Sequence, residues 1–491
     1  MKVYISYPPI ENTKGVPLLS QNRQFQWFSE PTYIYPVVPA YAASLLKEAG
    51  YDVVWDDAIA EEKIYGEWLS SIGKSQPDIM MVETKTPVVK THWKIVEDVK
   101  EVSPETRVAL VGDHVTALPR ESMENSKADY ILTGGDYDFL LLNLVEYLSG
   151  KTDVLEPGVW FRKDGEIKSS GVFVLNHDLN LLPFIDRDLT KWYLYAYKNG
   201  NFKATPGIYT MVGRDCWWRR DGGCTFCSWP TLYPVFRERK PELLVNEIGI
   251  LIKKYGAKEI FDDTGTFPVG EWLRKFCELM IEHGYNEKVR ISCNMRFGAL
   301  SQEDYKLMRK AGFRTLLFGL ESGNQKTLDK LNKGITVNDI IEGCSLARKA
   351  GLEPHITVMI GYPWETYEDA LETQRLASML MKKGLAMTLQ STVIIPYPGT
   401  KLYEEAISED WFRFNPKDYD RFDMKESVLK AAGMESDDIM KICNDIYKVF
   451  LSPEYIIRHV LRSHSYEDIK YSMRSIPKIF GHLKDFTGDK A

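Results

Sequence analysis

The 491-residue chain has no apolar run approaching the roughly 18 residues of a membrane span. It has no excess of positive charge: 62 Lys and Arg against 69 Asp and Glu give a net charge of −7, which disfavours general nucleic-acid binding. Cysteine and histidine are both scarce, at seven and eight residues. A small, odd number of thiols does not suggest a disulfide framework. Internal repeats and low-complexity tracts are absent. "MKVYISYPPI" opens the chain as a strand and turn rather than as a leader. These absences predict a cytoplasmic globular protein, and the length predicts two or three domains.

Three of the seven cysteines fall within twelve positions. In "GRDCWWRRDGGCTFCSWP", Cys224 and Cys227 form a C-x-x-C pair, and seven residues separate Cys216 from Cys224. A closed zinc site needs four ligands, and no histidine lies near the cluster. A redox C-x-x-C pair leaves Cys216 without a role. The third reading is a 4Fe-4S cluster held through three irons, with one iron open.

The surrounding pattern predicts an α/β protein. Over residues 1–150, apolar strands such as "KVYISY", "YDVVWDD", "PDIMMVE" and "TRVALVG" alternate with amphipathic helices, as in a doubly wound, Rossmann-like parallel sheet. Ligands of such sheets bind beyond the C-terminal strand ends. No G-x-G-x-x-G follows the first strand, where "YPPIEN" stands. Residues 151–204 read as a hairpin, around the Asp-Gly turn of "VWFRKDGEIKSS", and a linker. Residues 205–408 supply six strands and five helices, a partial (β/α)6 TIM barrel whose chemistry belongs at the C-terminal strand ends. The thiol loop follows the first of those strands. Residues 409–491 read as a small, mainly helical C-terminal region.

The thiol loop resembles that of the radical S-adenosylmethionine (SAM) enzymes, with an aromatic residue, Phe226, before the last cysteine. The family's common spacing is three residues and then two, so this chain carries four extra residues within "WWRRDGG". The resemblance covers residues 205–405, through "IFDDTGTF", "SCNMRFG", "FGLESGNQKTL", "MIGYPWET" and "IIPYPGTKLYEEA" in order. It implies cluster ligands Cys216, Cys224 and Cys227. It implies SAM contacts from Phe226, Asp262, Asp263, Thr264, Asn294, Arg296, Glu321, Ser322, Ile360 and Gly361. For any one of these acidic or Gly-rich strand ends a helix cap or turn is an equal reading. The implied chemistry is reductive cleavage of SAM to a 5′-deoxyadenosyl radical, which takes hydrogen from an unactivated carbon. An external protein would supply the electron.

The N-terminal sheet is similar to the cobalamin-binding domain of one radical SAM subclass, the class B methyltransferases. The resemblance implies base-off cobalamin near Thr84, Thr86, Gly112, Asp113, His114, Gly134, Gly135 and Asp136. The chain has no Asp-x-His-x-x-Gly motif to set a histidine under cobalt, and His114 reads more readily as a turn histidine. The implied activity is methylation of an sp3 carbon on a protein or small molecule. The glutamine C-methyltransferase of methyl-coenzyme M reductase is one candidate, and non-methylating cyclases or lipid-tailoring enzymes share the architecture. Cys293 is either a hydrogen donor facing the site or a buried apolar thiol. Trp217, Trp218, Arg219 and Arg220 of the insert would cover the cluster, meet an electron donor or contact the cobalamin domain.

Overall fold

The computed structural model describes residues 1–19, 25–29, 31–199, 202–219, 222–462, 471 and 473. The first sheet is built from β1 Lys2–Tyr7, β2 Asp52–Asp57, β3 Ile79–Glu83, β4 Arg107–Val111 and β5 Tyr130–Leu132. These strands lie parallel in the order β2-β1-β3-β4-β5. Their apolar residues split between two faces, as the period of two requires. Val3, Ile5, Ile79 and Met81 pack toward helices Val37–Glu48 and Tyr137–Leu148, whereas Met80, Val82, Val108 and Leu110 pack toward Tyr65–Ser75 and Val89–Val102. Both faces are therefore covered, which explains the continuous apolar runs.

The hairpin belongs to this sheet. β6 Val159–Lys163 pairs antiparallel with β5, and β7 Glu166–Ser169 pairs antiparallel with β6. Asp164 and Gly165 both take positive φ at its turn, 54° and 78°, the form that matches strand twist. Pairing satisfies the otherwise open edge of β5, so 159–169 extends the first domain and the linker begins after it.

The second sheet contains β8 Gly207–Thr210, β9 Glu259–Asp262, β10 Arg290–Met295, β11 Phe313–Glu321, β12 Glu353–Ile360 and β13 Thr388–Val393. All neighbours are parallel and lie in chain order. Helices Pro241–Tyr255, Glu271–Glu282, Gln302–Lys310, Val337–Lys349 and Tyr367–Lys382 alternate with them, as in a partial barrel. Ser301, Thr336 and Thr366 each begin a helix with a reciprocal capping box.

Residues 409–435 are largely irregular and lead to helix Ser436–Tyr447, which packs on β13. Tyr447 Oη accepts from Ser391 N at 2.9 Å and donates to Ser391 O at 3.0 Å, satisfying backbone groups on this edge strand. Helix Pro453–Arg462 follows. The N-terminal arm reaches the same region: Lys14 Nζ lies 2.5 Å from Asp423 Oδ2, and Phe25 N donates to Tyr397 Oη at 3.3 Å.

Candidate active site

The thiol loop leaves β8 on the C-terminal face of the partial barrel. Asp215 stands at φ 83°, and a Cβ on Gly265 would fall 2.9 Å from the Asp215 carbonyl. A glycine is required there for the β9 loop to approach Cys216 so closely. Thr266 Oγ1 lies 2.9 Å from Cys216 Sγ. Further along, Thr225 N donates to Leu331 O, Leu402 N donates to Thr225 O, and Cys227 N donates to Cys224 O. The loop is thus fixed from both sides of the barrel.

The three thiols are half-buried and electrostatic neighbours of one another. Burial pushes Cys227 up to about 12, with Cys224 and Cys216 adding to the rise, and burial also raises Cys216. A bound metal would stabilise the thiolates that burial disfavours. Arg219, Arg296 and Lys333 each feel one or more of the thiols, so cationic side chains surround the loop. Among the described residues, no three His, Cys, Asp or Glu side chains close on a single-ion position. Three thiols on one loop are the donor set of a four-iron cube that keeps one iron open.

The other strand ends divide into those engaged within the protein and those that leave polar atoms open. Asp262 accepts from Thr210 Oγ1, Val212 N and Thr264 Oγ1, with burial raising its carboxyl to about 6. Thr264 Oγ1 also accepts from Gly213 N. Asp263 N donates to Thr210 O. Asn294 Nδ2 donates to Thr264 O at 2.8 Å. Ser322 Oγ donates to Glu365 Oε1 at 3.1 Å and is fully buried. Gly361 takes φ 96° with Ile439 packed behind it, and Ile360 O accepts from Ile394 N. These groups hold the loops around the site.

Glu321 is placed differently. A bulge in β11 puts it at φ 64°, a conformation uncommon outside glycine and frequent at functional sites. Its carboxylate pairs with buried Lys333 at 2.7 Å. Lys333 Nζ also stands 6.0 Å above the Phe226 ring. Arg296 is buried with Nη2 unpartnered, and Tyr362 is buried with its hydroxyl unpartnered. Two orphaned polar groups beside a thiol loop fit a small zwitterionic ligand. Residue pattern alone did not single out Thr266, Lys333 or Tyr362; the only signal for Lys333 was its place before Gly334 in "LNKG".

Cys293 is fully buried on β10 beside Cys277, and burial raises its thiol. It takes the buried alternative and does not face the site. Trp217 Nε1 donates to Phe267 O at 3.3 Å. Arg219 pairs with Asp215 and donates to Tyr233 O at 2.8 Å. Arg220 lies outside the described residues.

The C-terminal edge of the first sheet meets this face. Gly135 N donates to Leu232 O at 2.9 Å, and Arg214 Nη1 donates to Gly135 O at 2.9 Å. Arg214 Nη2 donates to Asp138 at 2.6 Å, with both side chains buried. A Cβ on Gly135 would fall 1.8 Å from the Tyr233 ring, and one on Gly134 would fall 2.5 Å from Phe173. Asp136 pairs with Arg237 at 2.6 Å and with His177 at 3.1 Å. Burial opposes its charge, yet those hydrogen bonds hold it near 2. Gly134, Gly135 and Asp136 thus form a latch between the domains and are covered by rings, so this corner does not fit a cofactor cradle.

The ends of β3 and β4 are the better fit. Thr84 Oγ1 bonds His92 Nδ1, Asp113 pairs with Lys85 at 3.2 Å, and a Cβ on Gly112 would fall 2.4 Å from Thr84 O. His114 Nδ1 lies 3.1 Å from Thr86 Oγ1, and its Nε2 is buried without a partner. Burial lowers that imidazole to about 4, keeping it neutral.

Residues 211–377 match the family model of the radical SAM superfamily. They form a radical SAM domain. Its thiol loop offers the three ligands that a cluster with one iron open for SAM requires. An uncharacterized methyltransferase of Pyrococcus horikoshii is 26% identical over 451 residues, covering 91% of this chain and 94% of its own length. The anaerobic magnesium-protoporphyrin IX monomethyl ester cyclase of Cereibacter sphaeroides is 25% identical over 437 residues, covering 87% of this chain and 68% of its own. The fold around the radical SAM domain is similar to that of the radical SAM methyltransferase TsrM of Kitasatospora setae, whose structure has cobalamin and a 4Fe-4S cluster bound. The TM-score is 0.69 at 14% identity, over 99% of each chain. Among the described residues, no helix is long and apolar enough to cross a membrane.

Proposed function

We propose that the protein is a cobalamin-dependent radical SAM methyltransferase acting on an unactivated sp3 carbon. One observation carries this reading: the thiol loop and the C-terminal edge of a doubly wound sheet face each other and are bonded directly through Arg214, Leu232, Gly135 and Asp138. Such a junction would turn the C-terminal strand ends of both sheets, and a cofactor at each, toward one interface. The cobalamin in the TsrM structure and the methyltransferase relative support the assignment.

When bound, the cluster would supply an electron to SAM and cobalamin would carry the methyl group. Cys216, Cys224 and Cys227 would hold the cluster, and Arg296 and Tyr362 would offer their open polar atoms to SAM. Phe226, Asp262, Asp263, Thr264, Asn294, Glu321, Ser322, Ile360 and Gly361 contribute to the same site, several by fixing the loops around it. Thr84, Thr86, Gly112, Asp113 and His114 bound the cobalamin position, while Gly134, Gly135 and Asp136 join the domains. The electron comes from a reductant protein.

The test is an anaerobic assay with trideuteromethyl-labelled SAM, scoring label in product beside release of deoxyadenosine. A glutamine-containing peptide of methyl-coenzyme M reductase is the first protein substrate to try. Deoxyadenosine without label in any product overturns methyl transfer. That outcome supports the second reading, ring formation without methylation, which the cyclase relative favours.

A further inference from the structure

Trp218, in the lengthened thiol loop, lies under one guanidinium. Arg296 lies 4.0 Å from the Trp218 ring centroid. Trp218 is itself fixed: Nε1 donates to Asn332 O at 2.9 Å, and Asn332 Nδ2 returns a bond to Gly223 O at 2.9 Å. Gly334 makes room for the indole, since a Cβ there would fall 2.3 Å from Trp218 Cζ2. The loop insert and the Asn332–Gly334 turn therefore build a seat for one ring.

The charges around the seat are unevenly matched. Lys333 is paired with Glu321 at 2.7 Å, and Arg219 is paired with Asp215. Arg296 makes no ion pair among the described residues, and its Nη2 is buried without an acceptor. Another of its N–H groups meets the Cys224 thiol. A guanidinium over an indole, with one end nitrogen open, can still receive a planar anion. A carboxylate has that shape.

We propose that Trp218 is a positioning residue, which holds Arg296 over its ring and directs it to the carboxylate of SAM. The proposal rests on the radical SAM reading of the site. Trp218 acts only through Arg296.

The experiment uses the full chain, reconstituted anaerobically with iron and sulfide. Iron content and the reduced-cluster electron paramagnetic resonance spectrum report cluster loading. The change in that spectrum on titration gives affinities for SAM and for decarboxylated SAM, without turnover. Trp218→Leu should keep the cluster, weaken SAM binding about tenfold and leave the decarboxylated analogue unaffected. Arg296→Gln should show the same selectivity, and the double variant should be no weaker than Arg296→Gln alone. Trp218→Phe, which keeps a ring, should bind SAM within about threefold of wild type. Trp218→Leu binding SAM as wild type does, losing both ligands equally, or weakening Arg296→Gln further would overturn the proposal. Loss of cluster iron in Trp218→Leu would assign the indole to cluster retention and overturn it too. Wild-type protein that takes up no cluster, or does not respond to SAM, would instead overturn the radical SAM reading.

Discussion

Asp138→Ala gives the sharpest test of how the domains are joined. Asp138 belongs to helix Tyr137–Leu148 of the first domain, and Arg214 immediately precedes Asp215 and the thiol loop. Their 2.6 Å pair is buried, with Arg214 at 1% exposure and Asp138 at 0%. Removing one member of such a pair leaves an uncompensated buried charge, at a cost of about 3–5 kcal/mol. Arg214 retains the Gly135 carbonyl and stands 3.8 Å from Asp136, so the lower figure, about 3 kcal/mol, applies. That is roughly a hundredfold in the equilibrium between joined and opened protein. Urea unfolding followed by tryptophan fluorescence measures the loss, and iron content measures whether the thiol loop keeps its shape. The companion variant Asp138→Leu/Arg214→Met replaces both charges by apolar groups and should recover most of the loss. A single variant within about 0.5 kcal/mol of wild type, or a double variant no better than the single, would refute the reasoning.

His177 bridges Asp136 and Glu156 and stacks on Phe139 at 4.2 Å. Burial opposes its charge, but the two carboxylates raise it to about 9. Because the folded pKa lies above the ordinary 6.5, the stabilisation is complete below about pH 6.5 and is lost as pH rises through about 9. Unfolding free energies of wild type and His177→Asn should differ by about 2 kcal/mol at pH 6 and converge near pH 10; parallel curves would show that His177 carries no charge. Replacing Cys216, Cys224 or Cys227 by Ala should remove most reconstitutable iron, whereas Cys293→Ala should leave iron and turnover unchanged and cost about 1 kcal/mol in urea unfolding.

Strand and helix order was legible because each depends on local periodicity: the runs "PDIMMVE" and "TRVALVG" need only a two-sided core. The thiol loop was legible because its chemistry lies in adjacent residues. The roles of Gly134, Gly135 and Asp136 were not, since the groups that cover them, Phe173, Tyr233 and Arg237, come from distant segments. The hairpin's membership of the first sheet depended on an open edge at β5 that no local pattern records. Lys333 looked like an ordinary surface residue until the fold set it beside Glu321, and the insert pointed to Trp218 without revealing its partner Arg296.

The contact between Lys14 and Asp423 joins points 409 residues apart in sequence. Lys14 remains 38% exposed in its side chain while Asp423 is buried, so water screens one side of the pair and its contribution is on the order of 1 kcal/mol. That is too little to govern global stability, yet it is roughly a fivefold factor in the frequency of any local opening that must break it. The pair is a weak clasp between the N-terminal arm and the irregular segment that follows the barrel. Salt that screens the clasp would loosen the rim while leaving both sheets intact.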